Sequence, residues 1–226
     1  MDLVKLKRGL IEQIYDELRE RVVNLILKPG TRINIPELEE EFEVSPTPIK
    51  GALKKLSERG LVVDRFGAGY FVDTLSTKKM EEIYSIRKIF ESHALETSIS
   101  LFPKEILRQL QKEFTSLFDE SDQEKMHYEF YRLDQTVHLG VINYSENQTL
   151  KNFYYQIYDF VKIAQHSYRL ERVGLIKQIE THLSIVEAII EGDLARSKEL
   201  TENHIVEVRG LVVKALMSNG QFWVSH

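Results

Sequence analysis

Apolar residues recur at helical spacing near the start of the chain. Leu10, Ile11, Ile14, Tyr15, Leu18, Val22, Leu25 and Ile26 form one stripe, which Lys28-Pro29-Gly30 ends. Ile33-Asn34-Ile35 then reads as a short strand. Pro36 opens a short helix holding Leu38 and Phe42, and another begins with Ser45 as N-cap and Pro46 at the first helical position. That helix turns Ile49, Ala52, Leu53 and Leu56 inward and runs to about Arg59, where Gly60 stops it. Strands at 61–63 and 70–72 follow, joined by Asp64-Arg65-Phe66-Gly67-Ala68-Gly69. This order predicts a winged helix over residues 1–74.

After a linker at 75–77 the pattern becomes wholly helical. Six amphipathic helices are predicted over 78–226, with breaks at Phe102-Pro103, 119–122, 144–147, near Gly174 and at Gly192-Asp193. Ser121 with Glu124, and Ser145 with Gln148, have capping-box spacing. Gly192 suits a left-handed helix end before Asp193 caps the next helix. The expected fold is mainly α: an N-terminal winged helix-turn-helix with a small β-hairpin wing, then an all-α antiparallel bundle. The tail after Met217 reads as loosely held.

Composition refines this picture. The 226 residues carry 30 Lys+Arg against 35 Asp+Glu, a net charge of −5, which argues against a uniformly basic nucleic-acid coat. The distribution is uneven, however. Between Val44 and Val72 stand Lys50, Lys54, Lys55, Arg59 and Arg65 against only Glu58 and Asp64. Lys50 and Lys54 lie one turn apart on the outer helix face, and Arg65 stands beside wing glycines 67 and 69, an arrangement suited to phosphates and base edges. The acidic run Glu37, Glu39, Glu40, Glu41 and Glu43 opposes that reading wherever it faces a phosphate. A winged-helix protein-interaction module with a solvated lysine face fits the same pattern.

The absence of cysteine excludes disulfides, thiolate nucleophiles and cysteine-ligated metals. No apolar run reaches bilayer length, and the first sixteen residues carry charges of both signs, so a cytoplasmic chain with no signal peptide and no membrane partner is expected. Asp134 and His138 differ by four and project from one helix face, while His182 and His204 fall on later helices that a bundle can bring together. One carboxylate and three imidazoles suit a divalent transition metal, Zn or Ni first, with Mn, Co and Fe also compatible. Asp134 and His138 also fit an ordinary helical hydrogen-bonded pair, and His182 and His204 fit packed histidines. His93, His127 and His166 lack a partner spacing.

Leu-Lys-Pro-Gly-Thr-Arg-Ile at 27–33, Glu37-Leu38 and Ser45-Pro46-Thr47-Pro48-Ile49-Lys50-Gly51-Ala52-Leu53 resemble the GntR-family signature, and Leu56, 60–62 and the wing at 67–72 continue it. Asp134 to His138, Glu180-Thr181-His182 with Ile185, Ala188 and Ile189, and His204-Ile205 are similar, in this order, to the metal-ligand positions of the FCD effector domain of FadR-subfamily members. Ile83 to Arg87 with Glu91 resembles that domain's opening, and six bundle helices resemble its VanR-type branch. The resemblance spans about 6–217. It implies a ligand-responsive transcriptional repressor that binds a palindromic operator in double-stranded DNA as a homodimer, through Arg32, Ser45, Thr47, Lys50, Lys54, Arg65, Gly67 and Gly69.

The resemblance also implies a metal on Asp134, His138, His182 and His204, with a small organic-acid effector held by Arg87 beside Tyr84, Tyr131 and Tyr158. Three residues depart from the family: Pro46 and Lys50 replace arginines and Gly51 replaces a glutamate. Lysine is a point charge where arginine forks a guanine, so a different operator is expected. Two alternatives remain: an interaction module with a structural metal, and an enzyme in which the metal activates water. No HExxH-like spacing supports the enzyme, and it leaves the winged helix unexplained.

Overall fold

The computed structural model describes residues 9–166 and 168–218, among which nine α-helices and one two-stranded sheet are found. The loose tail expected after Met217 falls mostly on 219–226, outside the described residues. The chain divides into two compact units. Of the described residues, one holds 9–80, 159–166 and 214–218, and the other holds 81–158 and 168–213.

In the first unit, α1 (Leu10–Val23) packs on α3 (Pro46–Glu58), with α2 (Ile35–Phe42) beside it. Ile14, Leu18 and Val22 are buried with Ile49, Leu53 and Leu56, as their spacing requires. Strands β1 (Val62–Arg65) and β2 (Gly69–Val72) pair antiparallel, with Val62 opposite Val72 and Arg65 opposite Gly69. The wing and the helix-turn-helix follow the expected order.

Two local expectations shift. The first helix ends at Val23, because Leu25 turns left-handed at φ 57° and leaves Ile26 71% exposed. The pairing expected at Ile33-Asn34-Ile35 falls instead on residues 30–33. Gly30 N donates to Val72 O at 2.9 Å and Ile33 N to Tyr70 O at 2.8 Å, while Ile35 already opens α2 ahead of Pro36. Proline lacks an N–H that a strand would use and a first helical turn would not.

The last part of α7 (Gln148–Gln165) belongs to this unit from Asp159 onward. Asp159 is fully buried and takes Arg19 Nε and Arg59 Nη2, each at 2.9 Å. The Lys79 ammonium lies 4.3 Å from the Phe160 ring centre and donates to Gly60 O and Asp73.

The second unit is the helical bundle: α4 (Thr77–Leu101) from Glu81 onward, α5 (Lys104–Ser116), a 3-10 turn at Leu117–Asp119, α6 (Gln123–Asn143), α7 to Tyr158, α8 (Arg172–Glu191) and α9 (Leu194–Ser218) to Val213. Three expected boundaries are corrected. Asp122, not Ser121, caps α6, since its Oδ1 accepts from the amides of Glu124 at 2.9 Å and Lys125 at 3.2 Å. Asn147 Oδ1 accepts from Leu150 N ahead of α7, whereas the Ser145 hydroxyl bonds Thr97. The break placed near Gly174 lies N-terminal to α8, and Gly174 sits in its first turn. Gly192, at φ 74°, ends α8, and Asp193 accepts from Arg196 N as the next cap. No helix among the described residues is long and apolar enough to cross a membrane.

Two helical glycines have contrasting reasons. A Cβ on Gly140 would stand 2.2 Å from Cζ of buried Phe102, whose ring stacks on Tyr144 at 4.8 Å. A Cβ on Gly51 would meet only the side-chain end of Ile11, at 3.1 Å. Gly140→Ala is therefore expected to destabilise by about 1–3 kcal/mol through overpacking. Gly51→Ala should range from neutral to about 1 kcal/mol stabilising, because helix propensity favours alanine and Ile11 can turn aside. Urea unfolding followed by circular dichroism checks both; equal effects would show that the close packing of Phe102 costs nothing.

Candidate functional site

Four side chains from three helices of the bundle converge on one point. Asp134 and His138 project from α6, His182 from α8 and His204 from α9, and their ligand-type atoms all lie within 4.8 Å of one another. None is more than 5% exposed. The Nε2 atoms of His182, His138 and His204 lie 3.0, 3.5 and 3.8 Å from Asp134 Oδ1. The His182 ring stacks on Phe114 at 5.3 Å and meets the edge of Phe130, so apolar walls exclude water on that side.

The donor and acceptor inventory shows what this point can hold. His182 Nδ1 faces the Gln178 carbonyl at 2.8 Å, and a carbonyl only accepts. Nδ1 therefore carries a proton, and Nε2 is the ring nitrogen turned to the carboxylate of Asp134, 3.0 Å away. His138 Nδ1 likewise faces Glu91 Oε2 at 2.5 Å, which leaves its Nε2 inside the cluster. All three Nε2 atoms and His204 Nδ1 are buried with no aligned hydrogen-bond partner among the described residues. Imidazole nitrogens gathered round a buried carboxylate call for a positive charge between them, a proton or a metal ion, and three imidazoles with one carboxylate form a transition-metal donor set. The residues fit a divalent transition metal bound through nitrogen and oxygen.

Electrostatics agree. Burial alone would raise the Asp134 carboxyl, but charge and hydrogen-bond donation from the His138 and His182 rings in their protonated form outweigh it and hold it well below its ordinary range, so the carboxylate draws a cation, proton or metal, to this point. Burial, followed by His182 and His138, pushes the His204 imidazole well down, toward the neutral form a metal needs.

Beside the cluster lies Arg87 on α4, 2% exposed, with its Nε 2.7 Å from Glu91 Oε1. Its guanidinium carbon lies 5.6 Å from the Tyr84 ring centre. The hydroxyls of Tyr84, Tyr131 and Tyr158 are buried without an aligned partner among the described residues. Burial pushes the Tyr84 phenol up to about 12, so it stays a neutral donor. The sequence reasoning assigned no role to Tyr154, whose hydroxyl donates to Glu91 Oε1 at 2.7 Å, or to Glu91 itself. The four-residue spacing of Arg87 and Glu91 signals their pairing, but nothing local signals Tyr154, 63 residues further on.

In the winged helix, Ser45, Thr47, Lys50 and Lys54 are exposed on α3 or at its cap, and Arg65 and Gly67 are exposed in the wing. The exposed Arg32 side chain lies 3.8 Å from where a Cβ on Gly69 would stand. The positive excess of this region is smaller than the sequence count, because Lys55 pairs with Glu12 and Arg59 with Asp159. Lys50, Lys54 and Arg65 carry the outward charge. Part of the acidic run is neutralised as well, since Arg21 pairs with Glu41.

These arrangements have close relatives. Residues 10–72 match the model of bacterial regulatory proteins of the gntR family, and residues 82–207 match the FCD domain. The HTH-type transcriptional regulator YdhC of Bacillus subtilis is 29% identical over 194 residues, 86% of this chain and 85% of its own. The transcriptional repressor RspR of Escherichia coli is 23% identical over 216 residues, 94% of this chain and 92% of its own. Escherichia coli McbR/YncC has the same fold, with a TM-score of 0.74 at 19% identity, over 92% of this chain and 98% of that one. The chain belongs to the gntR family of bacterial regulators, with an FCD domain after its DNA-binding winged helix, and is a transcriptional regulator rather than an enzyme.

Proposed function

We propose that the chain is a cytoplasmic repressor which binds a palindromic operator as a homodimer, and that a metal-assisted site in its bundle senses a small carboxylate metabolite. The buried nitrogens around Asp134 that lack partners carry this reading. Asp134, His138, His182 and His204 hold the ion; once bound, it supplies open coordination positions and Lewis-acid attraction for carboxylate oxygens. Arg87 engages Glu91 through Nε, which leaves its fork to receive an anion, and the hydroxyls of Tyr84, Tyr131 and Tyr158 donate to the same ligand. Zn or Ni suits this donor set best, and Mn, Co or Fe is compatible.

Charge balance supports a carboxylate. Asp134 and Glu91 contribute two negative charges and Arg87 one positive, so a divalent ion leaves the buried site one positive charge in excess. A single carboxylate cancels that excess. Ligand binding then alters DNA affinity to the extent that it prefers one arrangement of the paired winged helices over another.

Elemental analysis of untagged protein should find about one transition metal per chain. At a thousandfold excess over its dissociation constant, metal stabilises by about 4 kcal/mol, or roughly 8–16 °C in Tm for a chain of this size. His182→Ala should abolish that shift; an unchanged shift would remove the four-ligand centre.

On a selected operator, Lys50→Ala should weaken binding by about tenfold, and wild-type affinity should fall steeply with salt. A flat salt response would remove the electrostatic reading of α3 and the wing. In a thermal-shift screen of mono- and dicarboxylates, stabilisation by the best acid should vanish in Arg87→Lys, which keeps the charge but loses the fork. A response retained in that variant would move the anion site elsewhere.

A further inference from the structure

Glu91 is fully buried on α4 and meets the four-residue cluster at His138. Three groups converge on its carboxylate. Arg87 Nε and the Tyr154 hydroxyl reach Oε1, each at 2.7 Å, and His138 Nδ1 reaches Oε2 at 2.5 Å. We propose that Glu91 is the positioning residue of the metal centre: it holds His138 with the proton on Nδ1, so that Nε2 is presented bare beside Asp134, and it raises the basicity of that ligand. This inference rests on the metal reading above.

The argument follows from what each group is able to do. An arginine Nε–H only donates, and with that guanidinium against it Glu91 acts as a carboxylate, an acceptor at both oxygens. The nitrogen of His138 that faces it must then carry hydrogen. The other nitrogen, 3.5 Å from Asp134 Oδ1, is then the one turned to the cluster and the one a metal would take in place of a second proton. The remaining two ligands are supported differently. His182 is fixed by the neutral carbonyl of Gln178, and both ring nitrogens of His204 lack an aligned partner among the described residues. Among the three imidazoles, only His138 has a charged acceptor behind it. A carboxylate in that position orients an imidazole ligand and strengthens it, and its loss typically costs 10–100-fold in metal affinity.

The geometry also explains why glutamine does not substitute. Its amide has one accepting oxygen and one donating NH2. If the NH2 faces Arg87, two donors oppose each other in a buried place. If it faces His138, the ring must accept at Nδ1 and carry its proton on Nε2, directed into the metal position. Either orientation damages one of the two functions that meet at residue 91.

The test uses the full-length chain in three measurements. In metal-free wild type, at a pH high enough to leave the ring a single proton, long-range 15N–1H correlation of labelled histidines should show His138 as the Nδ1–H tautomer. Competition with a chromophoric chelator should give a Zn affinity that falls 10–100-fold in Glu91→Gln, with a native circular dichroism spectrum. Tyr154→Phe removes one donor and keeps the carboxylate, so its Zn affinity should stay within about threefold of wild type. A folded Glu91→Gln with wild-type Zn affinity overturns the role of Glu91 and leaves the metal centre standing. A wild type that binds no Zn, Ni, Mn, Co or Fe overturns both. If Glu91→Gln does not fold, the wild-type tautomer decides, and His138 found with its proton on Nε2 overturns the proposal.

Discussion

The bundle is organised around an electrostatic conflict at its centre. Three imidazole nitrogens without aligned partners and one ionised carboxylate occupy a space a few ångströms across, shielded from water. Burial of such groups is costly unless something satisfies them, and aliphatic side chains in those four places would pack a more stable bundle. The surrounding residues act to preserve the conflict. Gln178 and Glu91 hold two ring protons away from the centre, and Phe114 and Phe130 wall it with rings. A fold that keeps such an arrangement carries a binding site, and the chemistry of the donors names a cation.

The winged helix solves a different electrostatic problem. Its basic residues are divided between internal and external roles. Arg19 and Arg59 turn in to the fully buried Asp159, and Lys55 pairs with Glu12, while Lys50, Lys54 and Arg65 remain outward. The net charge of −5 therefore says little about the recognition surface, because charge counts do not distinguish a guanidinium held against a carboxylate from one that meets solvent. Gly51, which replaces the family's glutamate, finds a local explanation in Ile11, packed directly over the position its Cβ would take.

Most of the fold was legible because helical and strand periodicities survive in the burial pattern of α1, α3 and α5 to α9. The misplaced details share one cause: several residues near each boundary are able to cap or break, and the sequence does not show which of them reaches an orphan amide. Asp122 reaches the amides of Glu124 and Lys125 at the start of α6, and at the start of α7 Asn147 reaches that of Leu150 while Ser145 reaches only that of Asn147. Within the candidate site, the four-residue step from Asp134 to His138 was readable by geometry alone. His182 and His204 are candidates by their positions on later bundle helices, and family resemblance favours them over packed histidines, since their convergence depends on helix packing. Tyr154 was invisible for that reason, as its meeting with Glu91 is set by the register of two helices 63 residues apart in sequence.

The charges of the site also order its binding events. Without a metal and with His138 singly protonated, Asp134, Glu91 and Arg87 leave a net negative charge in a buried place, and an incoming carboxylate would double it. With a divalent ion the balance becomes positive, and the same carboxylate restores neutrality. Anion affinity is therefore conditional on the metal, and by linkage the anion tightens the metal by an equal factor. On the proposed function, the carboxylate that Arg87 and His138 share would keep the guanidinium and the metal ligand in fixed relation, so that an acid bridging the two would meet a prepared distance instead of two independently moving partners. A site of that kind would respond to metabolite only in metal-loaded protein, and one regulator would read two chemical conditions together.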